Sequence, residues 1–164
     1  MFLIIPLGGL GIRYKNNNYQ EPKSLIQLMG KPIIFWILDN LRSIEKISLI
    51  YIPYHRDYVK FNLETLLIKR YPHLKFKFLI LHQNTRGAAD TIQIALDQLD
   101  ILDQGCLCLD GDNFYTTDII SECQSQNKIF IFEDIQQNPI FSYIQTQNYK
   151  VLRIQEKKKI SDLA

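Results

Sequence analysis

Residues 1–24 read MFLIIPLGGLGIRYKNNNYQEPKS, and this stretch decides the fold. An apolar run over residues 2–6 predicts a buried strand, which enters a turn holding three of the seven glycines in the 164-residue chain. In a chain with so few glycines, the cluster of Gly8, Gly9 and Gly11 marks backbone that takes a positive φ or approaches something closely. The strand and turn can therefore present backbone N–H groups to an anion.

Apolar periodicity along the rest of the chain predicts alternating helices and strands. Helices are predicted over residues 32–44, 56–71, 88–99 and 117–124. Further strands are predicted over residues 47–52, 76–81, 106–109, 128–133, 141–146 and 150–156. Because helices alternate with strands, the expected fold class is α/β, with a Rossmann-like, mixed and mostly parallel sheet inside three α/β/α layers. Residues 1–164 are expected to form a single domain.

Composition excludes several classes of protein. Hydrophobic residues make up 46% of the chain, which is typical of a globular domain with an apolar core. The formal net charge of +2 gives no argument for a nucleic-acid or membrane partner. The amino-terminal apolar run has no basic segment before it and is much shorter than the ~18 residues of a membrane span. A cytoplasmic protein is therefore expected.

The three cysteines predict neither a metal site nor a disulfide framework. Cys106, Cys108 and Cys123 are too few and too poorly spaced for either. Cys106 and Cys108 lie two residues apart, so their side chains share one face of a strand. Buried free thiols are the expected state, in preference to a redox role.

Two cations, Arg13 and Lys23, follow the glycine turn in the same loop. Departure of pyrophosphate from an α-phosphorus builds up negative charge, which fixed cations stabilise in a water-poor site. A mobile surface loop with solvated charges is the alternative. The loop has no Walker lysine, and Tyr14 stands where the dinucleotide fingerprint has its third glycine. A nicotinamide-dependent oxidoreductase would also need an acidic residue after the second strand, where Pro53 and Tyr54 stand instead.

Six short motifs occur in order along nearly the whole chain, and six of the seven glycines fall inside them. They are Gly8-Gly9-x-Gly11-x-Arg13, Pro22-Lys23, Gly30-Lys31-Pro32, Gly87-Ala88-Ala89, Gly111-Asp112-Asn113 and Glu156-Lys157. This ordered set resembles the signature of the sugar-phosphate nucleotidyltransferases, the NDP-sugar pyrophosphorylase family. The resemblance implies a nucleotidyltransferase enzyme with the nucleotide-diphospho-sugar transferase fold.

The resemblance also implies roles for the first loop and for the turn before the third predicted helix. The implied nucleotide-binding residues are Leu7, Gly8, Gly9, Gly11, Gln83 and Gly87. The glycine loop would wrap the phosphates, while Arg13 and Lys23 would help pyrophosphate to leave. Gln83 would read the nucleobase, and Gly87 would pack against it. The spacing from Gln83 to Gly87 is one residue shorter than in the family pattern, so a solvated turn residue is an equal alternative for Gln83.

Mg²⁺ is the cofactor that the resemblance implies, with Asp112 as its ligand. Asp110, Gly111 and Asp112 follow a predicted buried strand, at the edge where open α/β sheets bind ligands. Mg²⁺ typically takes one or two protein carboxylates together with phosphate oxygens and water. A turn or helix-capping role is the alternative for this aspartate pair. Asp110 is expected to play a weaker, supporting part.

Near the end of the chain, Glu156-Lys157 matches a family motif whose lysine contacts the phosphate of the acceptor. Lys157 is therefore expected to bind that group, with a solvated lysine run as the alternative. The implied reaction transfers NMP from an NTP to a phosphorylated acceptor, such as a sugar 1-phosphate, and releases pyrophosphate. A phosphocholine-type cytidylyltransferase is an alternative, and so is a catalytically weak nucleotide-binding or regulatory module.

The last residues of the chain lie where family members lead into an acceptor-binding half, which includes a second metal-binding aspartate. Residues 1–164 are therefore expected to be the amino-terminal, nucleotide-binding core of a longer family pattern. The expected partners are an NTP and a phosphorylated small molecule, with a homo-oligomer or a partner chain beside them. A natural short form, a partner that supplies the remaining elements, and a remnant without efficient turnover are the three alternatives.

Overall fold

The computed structural model describes residues 1–99, 105–123 and 127–164, and the chain divides into two compact units, residues 1–125 and 126–164. The strands of the first unit are β1 (Phe2–Ile4), β2 (Gln27–Leu28), β3 (Lys31–Pro32), β4 (Leu49–His55), β5 (Phe76–Leu81) and β6 (Cys106–Cys108). Its helices are α1 (Ile12–Lys15), α2 (Ile33–Asn40), α3 (Leu63–Arg70), α4 (Ala88–Asp97) and α5 (Ile119–Glu122). Short 3₁₀ helices span Lys23–Leu25, Ile44–Lys46 and Arg56–Phe61.

Four of these strands form a parallel sheet in the order β5-β4-β1-β6. In its register, Leu3 of β1 lies between Ile50 of β4 and Leu107 of β6. The chain builds the sheet outward from β1 through β4 to β5, and then crosses to the other side of β1 to add β6. This reversal leaves a crevice outside the carboxyl ends of β1 and β6, where open α/β sheets bind ligands.

Alternation along the central strand sends side chains into two apolar layers. Leu3 and Ile5 belong to a core with side chains of α2, α3 and α5, whereas Phe2 and Ile4 pack with Ala95 of α4 on the opposite face. Each such side chain stabilises the fold by about 1.5–3 kcal/mol when fully buried. Helices therefore cover both faces of the sheet, and the predicted three-layer α/β fold is confirmed.

One predicted helix is divided in two. The prediction over residues 56–71 is occupied by the 3₁₀ helix Arg56–Phe61 and by α3, which are separated at Asn62. Asn62 has φ 54° and ψ 41°, a left-handed conformation that a continuous α-helix does not contain. Apolar periodicity runs across the break because residues on both sides still face the same core.

A short hairpin between the glycine loop and α2 was not predicted. Strands β2 and β3 pair antiparallel, and the turn between them has positive φ at Met29 (51°) and Gly30 (76°). Trp36 anchors the hairpin, because its indole Nε1 donates to the Leu28 carbonyl oxygen at 2.8 Å. The Lys31 ammonium lies 3.6 Å from the centre of the Trp36 ring, in a cation–π contact.

The expectation of buried thiols is wrong for two of the cysteines. Cys106 and Cys108 are exposed, although they share a face of β6 as predicted, with their sulfur atoms 3.8 Å apart. Leu107 between them is buried in the core with α2 and α3. The thiols face the same side of the sheet as α4. That helix packs over side chains of β1 and β4, and it leaves the side chains of β6 on this face uncovered.

In the second unit, β7 (Ser142–Gln147) and β8 (Lys150–Glu156) form an antiparallel hairpin close to the predicted positions. The predicted strand over residues 128–133 is wrong. This segment makes only an isolated bridge from Glu133 to Leu163, flanked by reciprocal backbone hydrogen bonds between Phe132 and Ala164. Apolar residues alone do not make a strand where no neighbouring strand runs alongside. Throughout the described ranges, every helix is too short or too polar to cross a membrane.

Candidate active site

A cavity of about 740 Å³ lies in the first unit at the carboxyl ends of the parallel strands. Its size is within the range of small-molecule and cofactor sites. Five segments form its wall: the glycine turn after β1 with α1, the 3₁₀ helix Lys23–Leu25, the 3₁₀ helix Arg56–Phe61, the loop before α4 with the start of that helix, and the loop after β6. The lining residues are 6–12, 14, 17, 23–24, 58, 84–88, 91 and 110–112.

The glycine turn packs directly against the start of α4. A Cβ atom at Gly8 would lie 2.5 Å from the Thr91 hydroxyl oxygen, so only glycine allows this approach. The Thr91 hydroxyl is itself fixed, since it donates to the Gly87 carbonyl at 3.1 Å and lies 2.8 Å from the Thr85 hydroxyl. Gly11 ends the turn with φ 61° and leads into α1. Backbone amides of the turn therefore form part of the cavity wall.

Arg86, in the loop before α4, is one of the cations that line the cavity. Asp90, in the first turn of α4, accepts hydrogen bonds from the Arg86 backbone N–H at 3.0 Å and from its guanidinium at 2.7 Å. These hydrogen bonds hold the pKa of Asp90 below its usual range. The Arg86 side chain is 90% exposed, so its charge is largely solvated.

Two opposite charges meet at the carboxyl ends of β1 and β6. The Lys23 ammonium forms an ion pair with Oδ2 of Asp112, although the two residues are 89 positions apart in the chain. Lys23 also lies over the Tyr14 ring, 5.4 Å from its centre. The Leu7 side chain packs against Gly111, which keeps the loop after β6 close to the end of β1.

The two aspartates after β6 have a donor set that suits a hard cation. Oδ2 of Asp110 accepts from Nδ2 of Asn113 at 2.9 Å, and Asp112 is paired with Lys23. Among the described residues, no group of three or more His, Cys, Asp and Glu side chains could hold a metal on its own. Mg²⁺ commonly needs only one or two protein carboxylates when substrate phosphates complete its coordination. The carboxylate of Asp112, with that of Asp110 nearby in the chain, is of the chemical type that binds a magnesium ion together with phosphate oxygens.

Most of the residues that the sequence singled out lie together on this cavity. They are Leu7, Gly8, Gly9, Gly11, Lys23, Gly87 and Asp112. Gln83 is exposed and does not line the cavity, whereas the next residue, Asn84, does. The Arg13 backbone lies in α1, but its side chain is outside the described part of the chain. Lys157 belongs to the second unit, where it has φ 51° and its ammonium lies 3.2 Å from Oε1 of Glu156.

Sequence reasoning missed several lining residues, among them Ser24, Tyr58, Asn84 and Arg86. Arg86 and Asp90 are four residues apart, a spacing that signals an ion pair but not its place beside a cavity. Tyr58 fits the apolar pattern of the predicted helix and is indeed buried, so nothing in the pattern marks its hydroxyl. Its burial raises the pKa of the Tyr58 phenol.

Comparison with known proteins agrees with this geometry. The family model described as Nucleotidyl transferase matches residues 3–163. A search of curated protein sequences finds no match. Among solved structures, the inositol-1-phosphate CTP transferase from T. maritima superposes with a TM-score of 0.77 at 11% identity, over 98% of this chain and 66% of that one.

Two pyrophosphorylases have the same fold. A UDP-glucose pyrophosphorylase complexed with UDP-glucose gives a TM-score of 0.76 at 16% identity, over 100% of this chain and 74% of that one. The nucleoside-diphosphate-sugar pyrophosphorylase from Vibrio cholerae RC9 gives 0.72 at 19% identity, over 99% of this chain and 69% of that one. The resemblance stated from the motifs is thereby confirmed, and this chain belongs to the nucleotidyl transferase family of enzymes.

Proposed function

We propose that this protein transfers a nucleotidyl group from an NTP to a phosphorylated small molecule and releases pyrophosphate. One observation carries the proposal: the Lys23 ammonium and the Asp112 carboxylate meet on the cavity wall that the glycine turn also forms. A triphosphate with its metal ion needs amides, a cation and a carboxylate around one place. This cavity offers all three.

The charge distribution around the cavity suits a triphosphate. The amino-terminal turn of the ten-residue helix α4 carries partial positive charge and lies at the cavity wall through Gly87 and Ala88. The cations Lys23 and Arg86 both line the cavity. Asn84 and Gly87 lie together on the loop before α4, and we propose that this loop contacts the nucleobase, with Gln83 next to it.

The proposed reaction is a direct displacement at the α-phosphorus. An oxygen of the acceptor phosphate forms a new bond to the α-phosphorus, while the bond from that phosphorus to the β-phosphate oxygen breaks and pyrophosphate leaves with the electron pair. Lys23, together with Arg13, stabilises the charge that builds up on the leaving group. Mg²⁺, held by Asp112 with support from Asp110, would supply charge neutralisation and orientation of the phosphates. The remaining rate acceleration comes from the protein holding the two substrates in position.

A phosphorylated sugar or polyol is the proposed acceptor class. The solved structures that share the fold include an inositol-1-phosphate CTP transferase and a UDP-glucose pyrophosphorylase. We propose Lys157 as the group that binds the acceptor phosphate, because it lies in the Glu156-Lys157 motif directly after β8. Sugar 1-phosphates are therefore the first acceptors to test, with inositol 1-phosphate and phosphocholine beside them.

Pyrophosphate release tests the proposal directly. The purified protein is incubated with each NTP, Mg²⁺ and the acceptor panel, and one NTP–acceptor pair is expected to give turnover. Asp112→Asn should lower that turnover about 100-fold or more, because its ligand charge on the metal is lost. Asp97→Asn is the control, since Asp97 lies at the end of α4 and is absent from the cavity wall. Nucleotide binding without pyrophosphate release on any acceptor would instead indicate a binding module.

A further inference from the structure

A buried hydrogen bond lies directly beside the proposed catalytic lysine. The Ser24 hydroxyl donates to the Tyr58 hydroxyl at 3.0 Å, and the two residues are only 1% and 3% exposed. Ser24 follows Lys23 in the same 3₁₀ helix, Lys23–Leu25. Tyr58 lies 34 positions away in another 3₁₀ helix, Arg56–Phe61. The bond therefore joins the segment that carries Lys23 to a distant part of the chain.

Tyr58 is held firmly enough to act as an anchor. Its ring packs edge-on against Tyr54 of β4, with the ring centres 6.1 Å apart. The Tyr54 hydroxyl in turn donates to Oε1 of Glu64 at 2.5 Å. At the start of the Tyr58 segment, the Asp57 backbone N–H donates to Nδ1 of the buried His55 at 3.2 Å. These contacts fix Tyr58 relative to the central sheet.

The segment that carries Lys23 is short and has few backbone bonds of its own. Leu25 N–H donates to the Pro22 carbonyl at 2.8 Å, and Ile26 N–H donates to the Lys23 carbonyl at 3.2 Å. Both bonds shape the turn without tying it to the sheet. Leu25 buries its side chain in the core, but an apolar contact has no direction. A hydrogen bond between two buried hydroxyls has a direction, and removing one hydroxyl leaves the other buried without its partner.

We infer that Tyr58 is a positioning residue for Lys23, acting through Ser24. By holding Ser24, Tyr58 sets where the backbone of the neighbouring Lys23 lies and so where its ammonium can reach in the cavity. The consequence for catalysis rests on the proposed function, since it assumes that Lys23 stabilises departing pyrophosphate. The positioning itself does not depend on that assumption.

Tyr58→Phe removes the anchoring hydroxyl and keeps the ring. With Lys23 less well placed, kcat is expected to fall about tenfold, while KM for the NTP changes about twofold or less. In a Lys23→Met background, Tyr58→Phe should cause no further loss of kcat, because its effect passes through the lysine. Tyr71→Phe is the matched control: it removes another buried tyrosine hydroxyl, one that contacts Asp39 and takes no part in anchoring Tyr58. An equal loss in Tyr71→Phe, or an undiminished loss without the lysine, would overturn the inference.

A second readout works without turnover. The rate at which Lys23 is acetylated in the nucleotide-free protein, measured by peptide mass spectrometry, reports the surroundings of its ammonium. Tyr58→Phe and Ser24→Ala should each change this rate about threefold or more relative to the exposed Lys69, whereas Ser24→Thr, which keeps the hydroxyl, should restore it. Should Tyr58→Phe fail to fold, Ser24→Ala tests the same bond from the other side.

The two readouts separate the inference from the function on which it rests. If acetylation of Lys23 changes as expected but no NTP–acceptor pair ever yields pyrophosphate, the proposed function fails and the positioning role stands. If the wild type turns over and acetylation of Lys23 is the same in all variants, the positioning role fails and the proposed function stands.

Discussion

Thr91 shows how one buried hydroxyl shapes the cavity. It is 1% exposed and makes hydrogen bonds with the Gly87 carbonyl and the Thr85 hydroxyl, so it cannot move aside for a larger neighbour. Gly8→Ala would place a methyl group 2.5 Å from this oxygen. We expect Gly8→Ala to lower the free energy of unfolding by about 1–3 kcal/mol, as overpacking does elsewhere. Urea denaturation of the two proteins measures the difference.

A double mutant controls this prediction. Thr91→Ala removes the atom that the new methyl group would contact, so Gly8→Ala should cost less in a Thr91→Ala background than in the wild type. The Leu81 side chain and the Thr85 hydroxyl would still lie 3.2 and 3.1 Å from the new Cβ, and the rescue should therefore be partial. Equal costs in both backgrounds would show that the contact with Thr91 is not the cause.

The ion pair between Lys23 and Asp112 has a consequence for metal binding. In the nucleotide-free protein the ammonium occupies the carboxylate oxygen that a divalent cation would need. Lys23→Met should therefore tighten binding of Mn²⁺ alone by up to about fivefold, the strength of a partly exposed ion pair. The same variant should weaken binding of the Mn²⁺–NTP complex, because a cation that would contact the phosphates is lost. Electron paramagnetic resonance of free Mn²⁺ measures both affinities.

Lys31→Met is the matched control for these opposite effects on the two manganese affinities. Lys31 also forms an ion pair with an aspartate, Asp39, at 2.8 Å, but neither residue lines the cavity. Its loss should leave both manganese affinities unchanged. If Lys23→Met weakened binding of Mn²⁺ alone, the lysine and the metal would not compete for Asp112.

At the scale of elements, a polar network fastens the amino end of α5 to the segment after α2. Asp118 caps α5 by accepting from the Ser121 backbone N–H at 3.1 Å, and it accepts from the Ser43 hydroxyl at 2.6 Å. Lys46 donates to the Ser121 hydroxyl at 2.8 Å. The hydrogen bond from Ser43, followed by that from Ser121, lowers the pKa of Asp118 to about 2.

This lowered pKa predicts a definite dependence of stability on pH. The pKa of an aspartate in the unfolded chain is about 3.9, so the folded state favours the charged form of Asp118. Its contribution is complete above about pH 4 and is lost as the pH falls towards about 2. The melting temperature of the wild type should exceed that of Asp118→Asn at neutral pH, and this difference should shrink across that acid range. The substituted amide retains a capping oxygen, so the comparison isolates the charge; a difference that stays constant across the range would contradict the assignment.

The sequence predicted an element best where the spacing of its apolar residues matches the spacing of its buried side chains. Strand β5 occupies the predicted residues 76–81, and α4 begins at the predicted residue 88. Errors arose where one residue or one missing partner decides the outcome. The left-handed conformation of Asn62 divides a predicted helix, and the apolar residues 128–133 find no strand to pair with.

In the candidate site, too, residues marked by a local sequence pattern could be located, whereas residues joined only by the fold could not. The family motifs singled out Lys23 and Asp112, and the structure brings both side chains to one cavity wall, while the roles assigned to them stay predictions. The Ser24–Tyr58 hydrogen bond could not be predicted, since it joins two residues that each look ordinary in their local pattern. Asn84 lines the cavity and Gln83 does not. This shift by one residue could not be predicted, because a loop has no periodic sequence signal.

At the scale of the whole molecule, the cavity lies entirely within the first unit, whereas Lys157 belongs to the second. The proposed role of Lys157 in binding the acceptor phosphate can therefore be tested separately from the cavity. Lys157→Ala should raise KM for the acceptor about tenfold, the loss of one charge-assisted phosphate contact, and should change KM for the NTP little. Steady-state kinetics with each substrate varied in turn measures both constants.

The next residue provides the control for Lys157. Lys158 is also exposed and belongs to the same lysine run, so Lys158→Ala changes the net charge by the same amount. If both variants raised KM for the acceptor equally, the run would act only through its total charge. A defect of Lys157→Ala confined to the NTP would remove this lysine from the acceptor side.

The position of β1 in the sheet governs how the molecule must assemble. Strand β1 lies inside the sheet, and both of its neighbours come later in the chain: Ile4 pairs with Tyr51 on one side and with Cys108 on the other. Until both pairings have formed, this apolar segment lacks a partner, which is the situation that slows folding and favours aggregation. The amides of Phe2, Leu3 and Ile4 should consequently gain protection from hydrogen exchange among the last in refolding.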